Sequence, residues 1–158
     1  MSVVHITAFA EIFGAVAVLV TLIYLARQIK QNTEEIRSSN YHGITDSFNN
    51  LSQALAENAE LAKVFRNGNE NFDNLSDDEK TQFHFLMHAT LRVMDVLHYQ
   101  SRHGTGDQTL WDFEKHSIDA IFSTPGARSW WRWNPYSLSA EFTKYVDETV
   151  LPNSKGLE

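Results

Sequence analysis

The side chains best equipped for chemistry are gathered in HFLMHATLRVMDVLHYQSRH, residues 84–103, which holds His84, His88, Asp95, His98 and His103. At 100° per helical residue, His84, His88, Asp95 and Arg102 fall within about 40° of one another, with His98 at the edge of that stripe. Two histidines at i and i+4 can share a metal ion. The spacing then departs from the known patterns. No glutamate follows His84 as in H-E-x-x-H, and no E-x-x-H exists for a carboxylate-bridged di-iron bundle. Asp95 lies roughly 10 Å along the axis from His88, too far to complete one mononuclear site. A third ligand would have to come from another helix, with His116 or Glu114 the candidates by composition. The competing use of the same residues is structural. With Thr81 and Arg92 they form the polar side of a helix otherwise rich in Phe, Leu, Met and Val, and Arg92 can pair with Asp95 at i, i+3. The structural use is the expectation, so no metal or other cofactor is expected. His84, His88, His98 and Asp95 remain the metal candidates.

A second cluster is SWWRWNPY, residues 129–136, where Arg128 and Arg132 flank Trp130, Trp131 and Trp133. Three uses are open: the core of a small bundle, where large aromatics mostly go, a partner surface formed by the three tryptophans, or a cation–π ligand cage. Cysteine is absent, which excludes disulfides, thiolate metal sites and cysteine nucleophiles. Serine nucleophile elbows, phosphate-binding glycine loops and dinucleotide fingerprints are missing as well. No residue is assigned a catalytic role.

The elements that would position these residues are helical. Asn58 can cap a short helix through Leu61, Val64 and Phe65, with Gly68 as its stop, and NGNENFDN follows as a turn-rich loop. Ser76 and Glu79 form an S-x-x-E capping box that opens a helix from Asp77 to about His103, where Gly104 and Gly106 break it. Residues 107–123 read as another helix. Thr124-Pro125 resembles the N-cap and first position of a short helix carrying Trp130 and Trp131, ended by Asn134-Pro135. Ser139 can cap the last helix, whose Phe142, Tyr145, Val146 and Val150 share a face before Pro152 and a polar tail. No strand-length alternation competes with these helices.

Upstream, Ile6 to Ala26 is an apolar run of 21 residues whose single charge is Glu11. At helical rise it measures about 31 Å, roughly one hydrocarbon core. MSVVH carries no lysine or arginine and the run ends in Tyr24, Leu25, Ala26 without a small-x-small site, so a cleaved signal is disfavoured. A buried helix is the competing use of such a run, and it needs a domain large enough to surround it. The expectation is a membrane span. Arg27, Lys30 and Arg37 follow the run and no basic residue precedes it, which places the N-terminus outside and the body in the cytoplasm. Ala10 and Gly14 form a small-xxx-small pair beside Glu11, a face on which a second helix can approach closely. Without glycine or proline from 15 to 42, the helix is expected to continue as a stalk. Tyr41, Ile44, Phe48, Leu51 and Leu55 then supply a narrow seam.

The net charge is −7, and beyond the run thirteen basic side chains meet nineteen acidic ones. That balance argues against a nucleic-acid partner, which needs a basic surface to displace counterions from phosphates. The expected organisation is all-α: a transmembrane anchor over 1–30, a helical cytoplasmic domain over 31–152 and a polar tail over 153–158.

The chain also resembles a widespread group of uncharacterised short bacterial proteins that begin with a helix close to E-I-x-G-A-x-A-V-x-x-x-L-I-Y-L-A-x-Q-I-x-x-N-T, here Glu11 to Thr33. The similarity continues through AENAELAKVFRNG (56–68), LSDDEKTQF (75–83), RVMDVLHYQSRHG (92–104), LW (110–111), TPGARSWW (124–131) and SAEFTKYVDE (139–148), nearly the whole chain. What the resemblance implies is architecture: a bacterial single-pass inner-membrane protein with a helical cytoplasmic body, and no catalytic residue. The group often has glutamate where Asp95 stands and proline where Ala140 stands, and His84 and His88 are not among its features.

Together these features point to a non-enzymatic anchored interaction module. It would be an accessory subunit of a membrane complex or a homo-oligomer, with the lipid bilayer and a protein partner or a second copy as its contacts. The alternative is a metal- or small-ligand-binding enzyme or sensor built on the histidine-bearing helix.

Overall fold

A computed structural model describes the backbone of residues 3–133 and 138–154 and the side chains of 11–133 and 138–154. Every regular element is helical, and no strand occurs among the described residues. The chain divides into two units, Met1–Ser39 and Asn40–Glu158.

The first unit consists of the N-terminal part of α1, a helix of 55 residues from Val3 to Glu57. From Glu11 to Ser39 every described side chain is exposed, including Ile12, Phe13, Val16, Leu19, Leu22 and Ile23. Among the described residues, α1 is the helix long and apolar enough to cross a membrane, and none of its apolar window is buried. A core helix of this composition would be enclosed, so the buried-helix alternative has no support in the structure. Within the run, Thr21 Oγ1 donates to the Ala17 carbonyl at 2.8 Å. Pairing of that kind is what a hydrocarbon environment requires of polar groups.

The second unit begins inside α1. Here Ile44 is buried, Phe48 packs against the core and Leu51 and Leu55 are half-buried, whereas Tyr41, expected in the same seam, is exposed. Asn58 then caps α2 (Ala59–Glu70) by accepting from the Leu61 N–H at 3.0 Å. Gly68, expected to stop this helix, lies within it, and the end comes at Asn71. A Cβ on Gly126 would strike the Gly68 carbonyl oxygen, and one on Gly68 would strike the Phe83 ring. Gly126 therefore serves close backbone approach to α2, and Gly68 makes room for the Phe83 ring instead of reversing the chain. The expected loop over 67–74 is also corrected. It is the end of α2 followed by a 3₁₀ turn at Phe72–Asn74, which carries the buried Phe72 into the core.

α3 (Asp77–His103) opens with the full capping box, the Ser76 N–H donating to Glu79 Oε2 at 2.9 Å and the Glu79 N–H to Ser76 Oγ at 3.4 Å. The bond from the Ser76 backbone, foremost, holds the Glu79 carboxyl below its ordinary range. The helix closes on Gly104 at φ 66°, the left-handed conformation that favours glycine. α4 (Gln108–Phe122) is capped by Asp107, and α5 (Pro125–Trp133) starts where Thr124 Oγ1 accepts from the Ala127 N–H at 3.4 Å. The expected stop at Asn134-Pro135 lies outside the described residues.

α6 (Ala140–Tyr145) is capped by Ser139 and runs through a π-helical turn at Val146–Val150 into Leu151–Asn153. Pro152, expected to lie beyond the helix, is inside it. A proline here clashes with the carbonyl four residues back, that of Glu148, so the backbone widens. The Leu151 N–H bonds to the Val146 carbonyl five residues back. Ser154 is buried and its carbonyl accepts from Arg128 Nη2 at 3.1 Å, so the start of the expected tail belongs to the body. The core is built from Phe83, Leu91, Ile118, Phe122, Trp130 and Phe142, all fully enclosed.

Candidate functional site

The histidine-bearing helix turns Phe83, Leu86, Met87, Leu91, Met94 and Leu97 toward the body, with Asp95 and His98 buried beside them. Thr81, Arg92 and Arg102 of the stripe expected to be polar are exposed, and His84 and His88 are half-buried at its edge. What draws Asp95 inward is the N-terminus of α6. Its carboxylate accepts from the Ser139 N–H at 3.0 Å and from the Ser139 hydroxyl at 2.5 Å, and the exposed Arg92 pairs with it at 3.2 Å. Ser139 in turn accepts from the Phe142 N–H at 3.2 Å. Asp95 thus anchors a helix start on α3, and both its oxygens are engaged.

His84 is half-buried and also has a structural partner. Its Nδ1 accepts from the Trp130 indole N–H at 3.3 Å, and its ring lies 5.9 Å from that of His88. Burial, and then the neighbouring His88, push its pKa down. A metal at Nδ1 would displace the indole bond. Among the described residues, no three His, Asp or Glu side chains stand close enough to hold an ion, so His84, His88, Asp95 and His98 do not converge.

The three tryptophans separate. Trp130 and Trp131 are inside the core, the second donating its indole N–H to Asp147 Oδ1 at 2.8 Å. Trp133 is 58% exposed, with its ring 5.5 Å from Phe72. Trp130 and Trp131 therefore offer no surface to a partner, and the expected patch reduces to Trp133. On α1, Glu11 is exposed and a Cβ added to Gly14 would meet nothing. Ala10 lies one turn before Gly14 on the same helix.

His98 sits in a cage of rings: Tyr145 stacked at 5.0 Å, Trp111 at 5.2 Å and Phe142 at 5.8 Å between centroids. Its Nδ1 is enclosed without a hydrogen-bond partner among the described residues. Beside it is a recess of about 410 Å³, lined by His98, Arg102, Glu141, Lys144, Tyr145 and Glu148. Sequence spacing points to His98 only as a marginal member of the stripe and misses the opposite wall. The signal was available: Glu141, Lys144, Tyr145 and Glu148 recur at i, i+3, i+4 and i+7, one face of a helix.

The chain matches no protein-family model, no curated protein and no solved structure.

Proposed function

We infer that this chain is a single-pass protein of the bacterial inner membrane, N-terminus outside, that holds a helical, non-enzymatic interaction module at the cytoplasmic face. The observation that carries the reading is the apolar window of α1 with none of its surface buried, followed by Arg27, Lys30 and Arg37. Such a surface left in water would be an aggregation liability, and lipid is the solvent that suits it.

The module would serve as an accessory subunit of a membrane complex or as a small homo-oligomer. Ala10, Glu11 and Gly14 are the contacts proposed within the membrane, and Trp133 the one on the body. Open space around the Gly14 Cα supports this face, because a larger side chain there leaves the isolated helix undisturbed. Gly14→Leu should therefore insert normally yet shrink the assembly extracted from native membranes in mild detergent. An unchanged assembly size would remove Ala10, Glu11 and Gly14 from the interface. Mass spectrometry of that assembly separates a stoichiometric partner from a second copy of the chain.

A further inference from the structure

We propose that the recess between α3 and the α6 helix is a binding site for a small amino-acid zwitterion, its carboxylate held by Arg102 and the His98 imidazole N–H and its ammonium by Glu141. The recess is bounded on one side by His98 and Arg102, one turn apart on α3, and on the other by Glu141, Lys144, Tyr145 and Glu148.

Among the polar groups that α3 turns toward the body, His98 stands apart: it packs among rings and borders the recess. Asp95 and His84, the other polar groups that α3 turns toward the body, each bond a neighbouring element. His98 does not. Its enclosed Nδ1 without a partner is a desolvated polar atom in a position that leucine or phenylalanine would fill at lower cost. An unpartnered lone pair is less costly there than an unpartnered N–H, so the neutral ring carries its proton on Nε2. Burial, first, and Arg102, second, push the His98 pKa down, against Glu141 and Asp95, which keeps the ring neutral near pH 7. Tyr145 is pushed up by burial and by Asp119 and retains its phenolic proton. Both are thus neutral donors.

The charges select the ligand. Lys144 and Glu148 approach each other at 4.0 Å, which leaves Arg102 and Glu141 as the cation and the anion without an ion pair of their own among the described residues. One positive and one negative side chain across a small recess match a molecule carrying both signs, and the volume restricts it to metabolite size.

The full chain in detergent or nanodiscs, titrated with each of the standard L-amino acids and with acetate and methylammonium as half-ligands, tests this by thermal unfolding and calorimetry. At least one amino acid should raise Tm saturably where neither half-ligand does. Arg102→Gln and Glu141→Gln, both at exposed side chains, should keep the unliganded Tm and weaken binding roughly tenfold or more. The proposal fails if no amino acid stabilises the chain, if either half-ligand does so equally well, or if the shift survives both substitutions.

Discussion

Asp95 shows how a single carboxylate can be read as a candidate ligand and turn out to hold two helices together. Its two oxygens satisfy the Ser139 backbone and hydroxyl, and Arg92 compensates the charge at the rim. Asp95→Ala leaves the start of α6 without its acceptor and should cost about 2–3 kcal/mol in denaturant unfolding, more than Ser139→Ala, which removes one cap. His98 makes a prediction in pH. Its folded-state pKa lies below the ordinary value of 6.5, so the unfolded chain binds the proton more readily. Stability is then complete above the unfolded-state value and declines as pH falls through it. His84 shifts in the same direction and contributes to the same window. Thermal midpoints measured downward from neutral pH should fall in the wild type and fall less in His98→Phe.

At the scale of elements, the caps were legible because each is a local hydrogen-bond device: Asn58, Ser76 with Glu79, Thr124 and Ser139 all start helices where their side chains predict. Gly104 ended one for the same local reason. Gly68 and Pro152 were misread because their roles depend on what lies across from them. Gly68 makes room for the Phe83 ring of another helix, and Pro152 is absorbed by a widened turn instead of ending the helix. The burial of Asp95 on α3 was illegible for a related reason, since it is drawn in by a residue 44 positions later. Two substitutions follow. Gly126→Ala forces a methyl into the Gly68 carbonyl and should destabilise the fold by about 3 kcal/mol or more, whereas Gly14→Ala, in open space, should not lower stability. Ala140→Pro puts proline at the first position of α6, after Ser139 with φ −63° and ψ 149°, a conformation suited to the residue before proline. It should raise stability by about 0.5–1 kcal/mol.

Across the whole molecule, the apolar run, the capping residues and the absence of strand-length alternation were enough to anticipate an all-α chain with a long N-terminal helix followed by a small helical body. The tryptophan cluster divided by burial, which spacing alone does not resolve: Trp130 and Trp131 fill the core and Trp133 remains outside. The central claim concerns the first unit, where the apolar window of α1 is the proposed span and Arg27, Lys30 and Arg37 are proposed to set its orientation. Because the chain has no cysteine, single cysteines report topology without background. Ser2→Cys and Ser38→Cys, expressed separately and treated in right-side-out spheroplasts with a membrane-impermeant maleimide, place the two ends of the span. The account predicts that Ser2→Cys is labelled in intact spheroplasts and Ser38→Cys only after lysis. Labelling of Ser38→Cys in intact spheroplasts, or protection of both until lysis, would contradict it.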